Sequence, residues 1–192
     1  MRASRPVAML ACAALAAAVG CTGEPPQAAR GRDVVRPALG FAIDVPDGWM
    51  WNDVAGDVVL EIVRRPSGAK GEGQPPDGGP RPKRSGPLVH VVVVDREGTT
   101  LDGWADRAIA SSKELQSDLE VAGRAPAKLA DGREALALTL RSERGLEPLV
   151  QQLLLTVTEA RAYAVLATAP ENGAAAEAEP AFKECFDSFV VW

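Results

Sequence analysis

The chain has 192 residues, with 21 Lys+Arg against 26 Asp+Glu and 46% hydrophobic residues. Without residues 1–20, which carry two arginines and no acid, the net charge falls from −5 to −7. That balance excludes non-specific nucleic-acid binding, which needs clustered positive charge, and an electrostatic grip on anionic lipid. What remains is long enough for one domain with a real core and too short for two ample ones.

Arg2 and Arg5 precede an apolar run from Val7 to Val19, and small residues lead to Cys21. A basic start, an apolar stretch and a small-residue end describe a secretory signal peptide. The run is shorter than the roughly 20 residues of a transmembrane helix. Ala18-Val19-Gly20-Cys21 resembles the lipobox of bacterial lipoproteins, with Ala18 where Leu is usual. The resemblance implies that residues 1–20 are removed and that Cys21 is lipidated with palmitate-type chains. The membrane would then be a partner through that lipid, with the protein facing the periplasm or the cell exterior. Thr22 is not the Asp that retains enteric lipoproteins at the inner membrane, which leans toward the outer membrane. An ordinary secretory signal with an incidental cysteine, or an uncleaved anchor, are the alternatives.

There are three cysteines. Cys12 leaves with the signal and lipid would consume Cys21, so Cys185 is alone and the mature domain has no internal disulfide. Residues 21–39 are mostly polar, with Pro and Gly, and read as a flexible tether. The domain is expected over residues 40–192. Phe41-Ala-Ile-Asp-Val45 alternates as a half-buried strand does. Pro46-Asp47-Gly48 is a turn signal, and Trp49 and Trp51 follow at strand spacing. Asp57 to Arg65 (DVVLEIVRR) reads as the next strand.

Residues 66–87 are dominated by Gly, Pro and charge, including Arg81-Pro-Lys83-Arg84, and predict a disordered loop insertion. Leu88 to Asp95 (LVHVVVVD) is the clearest strand and is expected to be central. The period then changes. Leu101, Trp104, Ala105, Ala108, Ile109 and Leu115 fit one face of a helix over 101–117, with Thr100 as its cap. Leu119 to Pro126 is a strand. Asp131-Gly132 is a hairpin signal before the strand Arg133 to Arg141. Leu149 to Thr158 and Ala162 to Thr168 form a second hairpin. Residues 173–191 predict a last helix with Phe182, Cys185, Phe186 and Phe189 on one face and Pro180 in its first turn. The order implies an α+β fold, an antiparallel sheet of about six to seven strands with helices packed on it.

Phe41-Ala-Ile-Asp-Val-Pro46-Asp-Gly-Trp49, Gly132-Arg-Glu-Ala135 and the closing Phe182, Phe186, Ser188 and Phe189 resemble the PsbP/DcrB-like family. The resemblance covers residues 40–192. It implies an αβα sandwich and a non-catalytic adaptor, assembly factor or envelope lipoprotein, with no catalytic residues to carry over.

The residues themselves offer little catalytic chemistry. His90 is the only histidine. It sits in the most apolar strand, so a structural role is expected; a pocket placing it beside a carboxylate would point to catalysis instead. Cys185, among phenylalanines, reads as a small buried hydrophobe. The chain lacks a Gly-x-Ser-x-Gly elbow, a P-loop, a His-Glu-x-x-His and a Cys-x-x-Cys. No metal and no cofactor are expected. Trp49, Trp51 and Trp104 are the candidate ligand or partner surface, with core closure as the plainer role. The expected function is a lipid-anchored envelope lipoprotein that binds an unknown envelope protein partner and is not an enzyme. A small-ligand carrier is the alternative, and a hydrolase of unfamiliar type the more distant one.

Overall fold

The computed structural model describes residues 27–29, 32–65, 86–142 and 148–192. The expected signal peptide over 1–20, Cys21, the first part of the expected tether and nearly all of the expected 66–87 insertion lie outside the described residues. Ten strands and two helices follow the 3₁₀ turn Gln27–Ala29 among those described: β1 (Val34–Arg36), β2 (Phe41–Ile43), β3 (Trp49–Asp53), β4 (Val58–Arg64), β5 (Leu88–Asp95), α1 (Leu101–Leu115), β6 (Leu119–Lys128), β7 (Glu134–Ser142), β8 (Leu149–Val157), β9 (Arg161–Pro170), α2 (Ala174–Ser188) and β10 (Val190–Val191). Seven strands make one antiparallel sheet in the order β3-β4-β5-β9-β8-β7-β6, and β1-β2-β10 make a second, small one.

The large sheet is covered on both faces, which is why its inner strands read as nearly continuous apolar runs. One face receives α2. Leu60, Ile62, Val89, Val91 and Val165 form a core there with Phe182, Cys185 and Phe189. The small sheet closes the same core with Val34, Phe41, Ile43 and Val191. The other face receives α1, whose Trp104 and Ala105 pack on Leu136, Leu138, Leu140, Leu153, Leu155, Ala162 and Ala164. The α+β expectation and the antiparallel sheet are therefore observed, with one helix on each face.

Local chemistry fixes the ends. The Thr100 hydroxyl accepts the backbone N–H of Gly103 at 3.1 Å and caps α1. Gly132 takes φ +84° in the β6–β7 hairpin, and the Arg133 amide donates to the Asp131 carboxylate at 3.0 Å. Ser188 Oγ ties α2 to the chain after β2: it accepts the Asp44 amide at 3.0 Å and donates to the Cys185 carbonyl at 3.1 Å.

Three expectations are corrected. The tether does not run to residue 39, because Val34–Arg36 is a strand paired with β2 and Val34 is 1% exposed. Three residues are too few to display a period. The last helix stops at Ser188, and Val190–Val191 pairs with β2 instead. Pro180 stands inside α2, not in its first turn. It lacks an N–H for the carbonyl of Ala176, but both residues are exposed, so water can meet that carbonyl.

Gly40 shows how close the small sheet packs. Its φ is +70°, and a Cβ there would lie 2.6 Å from the carbonyl oxygen of Trp192. Left-handed backbone costs an L-residue about 1–2 kcal/mol, and overpacking adds on the order of 1 kcal/mol or more. Gly40→Ala should therefore lower the unfolding free energy by roughly 2–3 kcal/mol in urea titration. Gly132→Ala shares the positive φ but meets no atom within 4 Å, so it should cost only about 1 kcal/mol. Equal losses would refute the close approach.

Candidate functional site

The three candidate tryptophans, Trp49, Trp51 and Trp104, are divided between the faces. Trp49 lies on the α2 face at 8% exposure, its ring edge-on to Phe182 at a centroid distance of 6.1 Å. Trp51, two residues on, shares that face and is half-buried. The Arg36 guanidinium stands 4.9 Å from its ring centroid while donating to Asp53 at 2.6 Å. Arg36 thus pins the small sheet to the edge strand of the large one through a cation–π contact and an ion pair. Trp104 is 6% exposed on the opposite face, and its Nε1 donates to the Tyr163 carbonyl at 2.9 Å. A single Trp49–Trp51–Trp104 surface is therefore not formed. Large ring area drives two of the indoles into separate cores, and the Trp104 N–H finds the partner that burial requires.

Cys185 is fully buried, with Sγ 3.8 Å from the Asp44 carbonyl oxygen. Burial, followed by the nearby negative charges of Glu184 and Asp44, pushes its thiol up to about 12. It stays protonated at neutral pH, and the thiolate is the nucleophilic form.

The polar chemistry of the α1 face lies across β3, β4 and β5. Antiparallel pairing sets Asn52 opposite Glu61, Glu61 opposite His90, and His90 opposite Leu166. Their side chains make a cross-strand row. Asn52 Nδ2 donates to Glu61 Oε1 at 3.3 Å, and His90 Nε2 lies 3.3 Å from Glu61 Oε2. The Glu61 side chain is 6% exposed and that of His90 26%. A carboxylate this deep inside a sheet is retained where polar neighbours meet it.

Burial also marks where α1 ends its cover. Ala162 and Ala164 of β9 are buried beneath it, while Leu166 and Thr168 on the same face are half-buried. Met50, Val63 and Leu88, in the neighbouring row, are half-buried too. Asn52 Oδ1 and Gln151 Oε1 are buried and accept no hydrogen bond among the described residues; Gln151 pairs with Thr168 and so shares this face. The face is a mixed apolar and polar surface.

Two clefts flank α2. One, of about 350 Å³, lies between the Pro46–Gly48 turn and α2, with Trp49 and Pro180 in its wall and Asp47, Glu177 and Glu184 at its rim. The other, of about 410 Å³, shares Pro180 and Glu184 and adds Asp44, Lys183 and Asp187. Neither is lined by His90, so the histidine meets a carboxylate outside these clefts.

Desolvation raises the Glu184 carboxyl above its ordinary value, and the negative charges of Asp47, Asp44 and Asp33 add to it. A carboxyl whose folded value is raised penalises the charged form in the folded state. Stability therefore falls as pH climbs through the carboxylate range and is recovered below it. Glu184→Gln should raise Tm slightly at pH 7, within the few tenths of a kcal/mol usual for surface changes, and leave it unchanged at pH 3. Thermal melts at both pH values test this, and equal shifts at the two would refute it.

No family model and no curated protein matches the sequence. Solved structures do match the fold. Cyanobacterial PsbP (CyanoP) from Synechocystis sp. PCC 6803 superposes with a TM-score of 0.55 at 13% identity, over 80% of this chain and 88% of that one. The chain has a PsbP-like fold. LpqN of Mycobacterium tuberculosis, described as involved in cell envelope biogenesis, matches with a TM-score of 0.52 at 13% identity, over 79% of this chain and 82% of that one. At such identities the likeness concerns architecture, and a shared architecture does not assign function.

Within this PsbP-like domain, sequence reasoning passed over Asn52 and Glu61. The available signal was Leu60-Glu61-Ile62, a lone acid between residues that face a core. Strand alternation puts its carboxylate on the opposite face. What the sequence does not supply is the register that sets Glu61 beside His90.

Proposed function

We propose that the protein is a lipid-anchored cell-envelope lipoprotein whose PsbP-like domain binds a protein partner and performs no catalysis. The lipobox-like Ala18-Val19-Gly20-Cys21 supports the anchor. The fold it shares with LpqN, a protein of cell envelope biogenesis, supports the compartment. Among the described residues no helix is long and apolar enough to cross a membrane, so in this reading the lipid on Cys21 holds the domain there. Thr22 favours the outer membrane.

The half-buried face over β3, β4, β5 and β9 carries the partner reading. Met50, Val63, Leu88 and Leu166 mix there with the Asn52–Glu61–His90 row and Thr168. Interfaces of non-obligate complexes have this mixture of apolar and hydrogen-bonding groups. In this reading the His90–Glu61 pair is a cross-strand link that shapes the face.

The test is capture from detergent-solubilised envelopes by the full-length tagged protein. Thr168→Arg and Met50→Lys should each weaken capture of a specific protein at least about ten-fold, as loss of a central interface contact does, with circular dichroism unchanged. Capture indifferent to both substitutions would place the partner surface elsewhere. Turnover of a test ester or amide that disappears in His90→Gln would replace the binding reading with a catalytic one.

A further inference from the structure

We draw no further inference here: the strongest candidate, the cleft between the Pro46–Gly48 turn and α2 with Asp47, Glu177 and Glu184 at its rim, rests on an acidic cluster, and nothing in the structure shows what ligand or partner covers it.

Discussion

Phe182→Ala should destabilise the domain by about 3–5 kcal/mol, the usual cost of truncating a buried phenylalanine. Phe182 is 2% exposed and is among the largest fully buried side chains of the core between α2 and the large sheet. Its ring meets Trp49 edge-on, so truncation removes both apolar area and a favourable ring contact. Stiff neighbours limit collapse. Ala178, Ala181 and Cys185 on the same helix are too small to refill the space, and residual cavity volume sets the upper part of the range. Marginal stability makes the loss a large share of the roughly 5–15 kcal/mol typical of a domain. In thermal melts it corresponds to a fall of roughly 6–20 °C. Phe186, half-buried on the same helix, is the internal comparison, and Phe186→Ala should cost much less. A loss below about 1 kcal/mol for Phe182→Ala would mean that α2 is not packed on the sheet as described.

The same packing decides which parts of the fold could be read from sequence. Val89, Val91 and Val93 alternate with His90, Val92 and Val94, and both sets are apolar enough to announce a strand covered on two faces. α1 carries its own period and its own cap in Thr100. β1 and β10 have no such signature. Val34–Arg36 and Val190–Val191 span three and two residues, and each is a strand only because β2 lies between them. Tertiary pairing, not local preference, makes them β structure. Pro180 misled in a different way. Proline is favoured in a first turn, but a solvent-facing position tolerates it deeper inside a helix.

The candidate site was less legible than the fold. His90 is visible as the lone histidine, and its apolar strand predicts a structural role. The carboxylate it meets sits on β4, and residues 65–87 separate the two strands in the chain. A one-residue slip would have sent Glu61 to the other face. Trp49 and Trp104 follow the plainer expectation of core closure, but their rings enter cores on two different faces, so they do not share the surface that was the other expectation. Composition does not say which side of a sheet a residue takes; pairing does.

Cys21→Ser should move the protein from the membrane fraction to the soluble envelope fraction almost completely. One acyl chain gives an association constant of only about 10⁴ M⁻¹, each buried methylene contributes about 0.8 kcal/mol, and stable anchoring takes two signals. A cysteine carrying two or more chains meets that requirement alone, and serine cannot carry the thioether on which they are built. Little remains to hold the variant. The chain beyond residue 20 has a net charge of −7, which anionic headgroups repel, and no helix among the described residues can span a bilayer. Fractionation of wild type and variant, with an alkaline wash and labelling by an acyl-chain analogue, separates the three readings of the amino terminus. A lipid anchor predicts a labelled, wash-resistant wild type and an unlabelled, soluble variant. An ordinary secretory signal predicts that both are soluble. An uncleaved signal anchor predicts that both stay in the membrane, because the Val7 to Val19 run is unchanged by the substitution. The partner reading stands apart from this result, since the β3–β5–β9 face is tested by capture with Cys21 intact. An anchor that fails while capture survives would leave a secreted binding protein, and the reverse would leave a lipoprotein whose binding surface lies elsewhere.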